Sequence, residues 1–213
     1  MTLVFAAAIF VWPFQARAWA IEGPGTAPAA FPPAVSTAPA ELASIDRLYL
    51  HRHEAGKLEE SIALLEERLR RDASESAVLW RLGRSLVRRG EKQASPGGKL
   101  ADFSRARELI ERSLSLEDKD PEAHFWWGVA AGRWGQARGM LRSLFLVGPI
   151  KKRMLRVLEL DPGHGGAHHL LGELYRQLPG FAGGSKRKAI AEFEAAVRLS
   201  PRHTVNHVAL GRA

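Results

Sequence analysis

Four times this chain sets a glycine in the middle of an otherwise amphipathic helical pattern: Leu82-Gly83, Trp127-Gly128, Leu171-Gly172 and Leu210-Gly211. Glycine inside a helix costs about 1 kcal/mol against alanine, so four at matching places require a compensating reason. A second helix approaching too closely to admit a side chain supplies one. Ala106 and Ala189 are the small residues expected opposite. The segments leading into these glycines align: "SLSLEDKDPEAHFWWG", "VLELDPGHGGAHHLLG", "VRLSPRHTVNHVALG", and a weaker first copy, "RLRRDASESAVLWRLG". Each runs from the end of one helix through a short turn into the next. Repetition of this size signals stacked helical pairs, and it constrains the fold before any site is argued.

Helical spacing of the apolar residues gives the same answer. Leu79, Leu82, Leu86, Leu109, Ile110, Leu114, Leu155, Leu158, Leu170, Leu171, Leu174, Phe193 and Val197 form the expected core stripe. The pattern predicts helices over 41–55 with 57–71, 76–89 with 102–116, 121–137 with 149–160, and 165–177 with 186–199. Pro121 and Pro149 suit first-turn positions, while Asp102 and Ser185 suit N-caps. A fifth pair opens near Thr204 and stops midway at Ala213, which reads as a truncation.

This recurrence resembles the tetratricopeptide repeat (TPR). The Leu-Gly pairs carry the resemblance, with Tyr175 as the aromatic after Gly172, Ala106, Ala189 and Ala196 on the second helices, and Pro162 and Pro201 after them. It implies an all-α, TPR-like right-handed solenoid of antiparallel helix pairs over residues 41–213, about four and a half repeats long. In that family the first helix of each unit lines a concave groove. By position, the groove would hold Trp80, Arg84, Arg88, Phe125, Val129, Arg133, His169, Glu173 and Arg176. Aromatic and Arg side chains of this kind are typical anchors for a protein partner.

Three units carry inserted inter-helix segments: "GEKQASPGGKLA", "GQARGMLRSLFLVG" and "LPGFAGGSK". The first is polar and reads as a mobile loop. The second mixes Met140, Leu141, Leu144, Phe145, Leu146 and Val147 with Arg138 and Arg142, and no acid intervenes between Arg133 and Glu159. It could fold back over the solenoid, meet a protein, or make peripheral membrane contact through residues 138–156. Among TPR proteins, Leu178-Pro179, Gly183-Gly184 and Lys188-Ala189 within such long units resemble the T-component family associated with tripartite ATP-independent periplasmic (TRAP) transporters. Those proteins look like partners of an exported solute-binding subunit. Regulators of microtubule dynamics have similar inserted repeats, but the N-terminus described next points away from them.

The chain opens with "MTLVFAAAIFVWPFQARAWA", an apolar run closed by Ala16-Arg17-Ala18 and Ala18-Trp19-Ala20. That pattern reads as a signal peptide over residues 1–20, implying a periplasmic or secreted protein. Residues 21–40 are Pro-, Ala- and Gly-rich without a period, which reads as a disordered linker. The chain contains no cysteine, which excludes disulfides, thiol catalysis and thiolate metal sites.

The remaining polar clusters hold little chemistry. Asp161, His164 and His168 have ligand types at helical spacing and could bind zinc. The matched positions of His124, His168 and His207, each four before a repeat glycine, argue instead for packing toward the previous unit. His164, in the turn, is expected to be solvated. No P-loop, nucleophile elbow, His-Glu-x-x-His or dinucleotide fingerprint occurs. "PGFAGGSKRK" offers glycines before a helix start, where an anion could rest, but reads more simply as a connecting loop. The basic residues around the second insert are interleaved with aliphatic residues rather than stacking aromatics, and export would remove the chain from DNA, which disfavours nucleic acid. The sequence therefore reads as a non-enzymatic exported scaffold for protein–protein interaction, without cofactor or metal, acting with a transport or envelope complex. The competing reading is a periplasmic carrier enclosing a small hydrophobic ligand between Phe125, Trp126, Phe145 and Phe181.

Overall fold

A computed structural model describes residues 40–213, and for Met140 and Leu141 the backbone alone. The segments read as signal peptide and linker, save Ala40, lie outside the described residues. From there the chain alternates helix and turn: α1 Ala40–Leu50, α2 Lys57–Arg71, α3 Ser76–Lys92, α4 Pro96–Leu116, α5 Pro121–Arg138, α6 Met140–Leu160, α7 Gly165–Gln177, α8 Lys186–Leu199 and α9 Thr204–Gly211. No strand occurs among the described residues. Successive helices pack as hairpins, α3 on α4, α5 on α6 and α7 on α8. The hairpins then stack, α4 on α5 and α6 on α7, with α3 also touching α5, so the chain is a helical solenoid.

The repeat glycines do the work the sequence demands of them, by a different contact from the one expected. A Cβ on Gly172 would lie 2.6 Å from Phe193 Cε1, and one on Gly128 would lie 2.6 Å from Met154 Cε. A Cβ on Gly83 would run into Ile110 and come within 3.0 Å of the Ala106 carbonyl oxygen. Each glycine is thus a socket for a large side chain from the second helix of its own pair. Ala106 and Ala189 are fully buried nearby rather than being the groups that fill the gap. A second set of sockets was not foreseen: Gly90 receives Phe103 at 2.6 Å and Gly135 receives Leu146 at 2.9 Å. Gly211, on the last described helix, has nothing against it.

The predicted core residues are buried with few exceptions. Leu109, Leu158 and Val197 are partly buried. Leu155 is 43 % exposed, because the inward face of α6 is Ile150, Met154 and Val157, one residue out of register with the expected stripe. Both longer inserts also depart from expectation. "GEKQASPGGKLA" is largely helix: Ser95 Oγ accepts from the Gly98 N–H, and Pro96 opens the first turn of α4. Asp102 is therefore no cap. It is buried within α4, taking Arg89 Nε and Nη2 at 3.0 and 2.5 Å. Likewise α6 begins at Met140, so Pro149 sits inside it on the exposed side, where water can replace the hydrogen bond a proline cannot donate. Pro121 and Ser185 keep their predicted roles, Pro121 behind the Asp120 cap and Ser185 accepting from Lys188 N–H.

The matched histidines share one geometry. In each case Nε2 donates to the backbone carbonyl six residues earlier: His124 to Asp118 at 2.9 Å, His168 to Pro162 at 3.4 Å, His207 to Pro201 at 2.8 Å. The ring pins the turn to the helix that follows it. The other nitrogen faces the second helix of the same pair, not the previous unit: Arg153 approaches His124 Nδ1 at 3.0 Å, and Glu192 lies 2.7 Å from His168 Nδ1. Burial holds His124 below the ordinary imidazole value, whereas the Glu192 hydrogen bond raises His168.

Candidate functional site

A cleft of about 220 Å³ opens between α3, α5 and the turns and first residues that lead into α7 and α9. Its floor and walls are aromatic: Trp80 from α3, and Phe125 and Trp126 from α5, edge-to-face at 5.4 Å. The start of α7 closes one side because its first two residues are glycines without side chains. A Cβ on Gly166 would lie 2.9 Å from Phe125 Cζ, and one on Gly165 would lie 2.9 Å from Ser200 Oγ. Between them and the wall stands His164, which is buried and caps α7 by accepting the Ala167 N–H at Nδ1, 3.0 Å away. It is not solvated, as the turn position had suggested; its ring lies 4.7 Å from that of Phe125.

Charge in the cleft is arranged in opposed pairs. Glu122 holds a carboxylate between Trp126 Nε1 at 3.1 Å and His164 Nε2 at 3.3 Å. Burial alone would raise its carboxyl; the hydrogen bond and charge of His164, with Arg84 nearby, bring it below the ordinary value. Arg84 donates from Nη2 to Asp46 of α1 at 2.6 Å and lies flat over Tyr49, 3.6 Å from the ring centroid. Two buried donors in this wall, Trp80 Nε1 and Arg84 Nε, have no hydrogen-bond acceptor among the described residues. Unanswered buried donors are rare, and here they sit side by side at a cleft.

The nine groove positions expected from the repeat divide in three. Trp80, Arg84 and Phe125 meet in the cleft. Arg88 and Arg133 continue along the same face but are locked by one acid: Glu91 Oε2 takes Arg88 Nη1 at 3.0 Å and Oε1 takes Arg133 Nε at 2.7 Å. Val129 is partly buried in the core beside them. Of the α7 trio, His169 is buried 5.7 Å from the Phe193 ring and held below the ordinary imidazole value by that burial, while Glu173 and Arg176 pair with each other at 2.7 Å. Asp46, Glu122, His164, Ser200, His203 and Asn206 were not anticipated at the site. The Gly165-Gly166 pair, two glycines opening a helix where one suffices, was the readable signal of close approach.

Two alternatives that the sequence raised are not supported by the geometry. Asp161, His164 and His168 are not brought together: His164 turns to Glu122, His168 to Glu192, and Asp161 accepts the Gly163 N–H in its own turn. The carrier cavity is not enclosed as predicted either, because Phe145 is 81 % and Phe181 96 % exposed, leaving Phe125 and Trp126 alone of the four at the cleft.

Comparison with known proteins adds a family and a fold. Residues 42–182 match the family described as regulator of microtubule dynamics protein 1-3. Regulator of microtubule dynamics protein 3 of Mus musculus is 25 % identical over 122 residues, 57 % of this chain and 26 % of that protein. Its counterpart in Rattus norvegicus is 25 % identical over 146 residues, 68 % of this chain and 31 % of that protein. The chain thus spans less than a third of the curated relatives it matches. Among solved structures, MamA from Desulfovibrio magneticus RS-1 superposes with a TM-score of 0.53 at 22 % identity, covering 81 % of this chain and 80 % of that one. A Thermobaculum terrenum O-GlcNAc transferase mutant superposes with a TM-score of 0.50 at 23 % identity, over 74 % of this chain and 26 % of that one. The TPR-like fold is supported by these neighbours; the T-component likeness is not. The match falls on the family that the apolar N-terminus had argued against, and that N-terminus lies outside the matched residues.

Proposed function

This chain belongs to the regulator of microtubule dynamics protein 1-3 family, and on that footing we propose that it is a non-enzymatic scaffold that holds an extended segment of a protein partner in its concave cleft. The observation that carries this reading is the pair of unanswered donors, Trp80 Nε1 and Arg84 Nε, in an aromatic wall. A buried donor without an acceptor costs about 1–3 kcal/mol, and a ligand carbonyl or carboxylate seated there recovers it. Aromatic faces beside the donors suit an apolar side chain of the same segment. No catalytic arrangement competes: the Glu122–His164 pair has no nucleophile placed against it among the described contacts.

The test is selection of a peptide library on the immobilised full chain, followed by calorimetry on the selected peptides. Trp80→Phe keeps the ring and removes the donor, and should weaken binding about tenfold. Peptides that bind Trp80→Phe and wild type equally would discard the cleft. Export is part of the proposal, supported by the apolar run and paired Ala-x-Ala at residues 16–20. Cell fractionation with N-terminal sequencing of the mature chain tests it, and an intact Met1 on cytosolic protein refutes it. Association with a transport complex rests on the Leu178-Pro179, Gly183-Gly184 and Lys188-Ala189 likeness; co-purification of an exported solute-binding subunit is its test, and a transport-complex-free pull-down rejects it.

A further inference from the structure

One edge of the solenoid carries a surface that the cleft does not use. α6 is 21 residues long and its antiparallel neighbour α7 is 13. Its N-terminal eight residues therefore overhang α7 by about 12 Å at 1.5 Å per residue. That overhang stands level with the α7–α8 connection, residues 178–185, so two of the three inserts lie at one end of the molecule. Lys151 and Lys188 bind them together, their Nζ atoms sitting 5.0 and 5.5 Å from the centroid of the same Tyr175 ring.

What the two segments expose is unusual for a surface. Phe145 and Phe181 are 81 % and 96 % exposed, with Leu144 half-exposed beside the first. In both segments the charged residues are cations only. No acid occurs between Arg133 and Glu159 or between Glu173 and Glu192, whereas Arg142, Lys152, Lys186 and Arg187 are all exposed. Of the nearby acids, Glu117, Asp118, Glu159 and Asp161 lie in or beside the turns of the other edge, while Glu173, near the end of α7, is partly buried and paired with Arg176. No described helix is long and apolar enough to cross a membrane.

We propose that this edge is a docking surface for an anionic lipid bilayer, into whose interface Phe145 and Phe181 insert while the surrounding Lys and Arg meet the headgroups. Protruding aromatics ringed by cations match the two attractions a bilayer surface offers: burial of apolar side chains at the headgroup boundary and a negative surface potential. A protein partner would have to supply two separate pockets and a facing set of acids, whereas the interface of an anionic bilayer meets both rings and cations at once. The surface lies apart from the cleft, so either can fail without the other.

Absence of native cysteine makes the test direct. Phe145→Cys, Phe181→Cys and, at the opposite edge, Lys119→Cys are each labelled in the full chain with an environment-sensitive dye. They are then mixed with vesicles of phosphatidylcholine, alone or with phosphatidylglycerol. The proposal expects dyes at 145 and 181 to blue-shift on the anionic vesicles only, salt to reverse the shift, and the dye at 119 to stay in water. Phe145→Ser with Phe181→Ser should lower the anionic-vesicle affinity about tenfold with an unchanged circular dichroism spectrum. Dyes at 145 and 181 that report water while the chain sediments with vesicles would overturn it, since another segment would then make the contact. So would equal shifts on neutral vesicles, a double variant that binds like wild type, or no binding to anionic vesicles.

Discussion

Replacing Gly83 and Gly132 by alanine, one at a time, separates the socket function of a repeat glycine from its intrinsic cost. Both lie inside helices, so each substitution gains about 1 kcal/mol of helix propensity. A new Cβ at Gly132 meets only Ile150 Cδ1, at 3.9 Å, which is ordinary contact. At Gly83 it comes 2.7 Å from Ile110 Cδ1, closer still to Cγ1, and 3.0 Å from the Ala106 carbonyl oxygen. Ile110 is fully buried and β-branched, so its rotamer has nowhere to turn, and the carbonyl is backbone. Relieving an overlap this deep, against backbone as well as side chain, costs about 2–3 kcal/mol, the upper part of the overpacking range. Gly83→Ala should therefore lose about 1–2 kcal/mol net and Gly132→Ala gain up to about 1 kcal/mol. At about 2–4 °C per kcal/mol for a chain of this size, Tm should fall by about 2–8 °C in the first and rise by about 2–4 °C in the second. Gly128→Ala should lie between them, because the atom it meets is the flexible methyl end of Met154. Thermal melts followed by far-ultraviolet circular dichroism decide the order. A double cycle with Ile110→Ala should show the pair costing about 1 kcal/mol less than the sum, the new methyl entering the space Ile110 leaves. If Gly83→Ala raises Tm alongside Gly132→Ala, the socket argument is wrong.

Two further outcomes follow from the charged groups. Glu91→Ala withdraws the carboxylate shared by Arg88 and Arg133, both buried, and should cost about 3 kcal/mol in urea unfolding; a loss under about 1 kcal/mol would mean the two guanidiniums are satisfied by their other neighbours. The Glu192 hydrogen bond raises His168, so its contribution is full below the unfolded value near pH 6.5 and fades as pH climbs through the higher folded value. The stability difference between wild type and His168→Gln should accordingly be about 1 kcal/mol at pH 6 and shrink toward pH 8.5; a difference that grows with pH refutes the assignment.

The sequence made the hairpins legible because a mid-helix glycine is costly wherever it stands, so recurrence alone demanded a contact. Which atom filled the gap was not legible: Ile110, Met154 and Phe193 are ordinary core residues in the one-dimensional pattern. Helix starts were misplaced where two signals conflicted. Ser95-Pro96 reads as a cap and first turn, but Gly97-Gly98 behind it weakens any helix, and Asp102 offered a plausible later start. In α6 the proline at 149 was read as a beginning because an interior proline removes a hydrogen bond; its exposed position makes that loss small. The cleft escaped for another reason. Its lining comes from α3, α5, the first residues of α7 and α9 and the turns before them, and Glu122, His164 and Asn206 acquire a common neighbourhood only when the hairpins stack. His164 misled because turn histidines usually point outward, whereas this one is held under Phe125.

The sockets also bear on how such a chain can change. Ile110, Met154 and Phe193 differ in length, branching and stiffness, and each is cut to one glycine. The hairpins share a sequence pattern without being interchangeable parts. Duplicating or shuffling one intact hairpin carries the matched glycine and plug together and leaves that joint sound. Recombination that breaks inside a hairpin, between its two helices, mates a socket with a foreign plug. Crossover points tolerated in engineered chimaeras of this chain should therefore cluster in the turns Asp72–Glu75, Glu117–Asp120, Asp161–His164 and Ser200–His203.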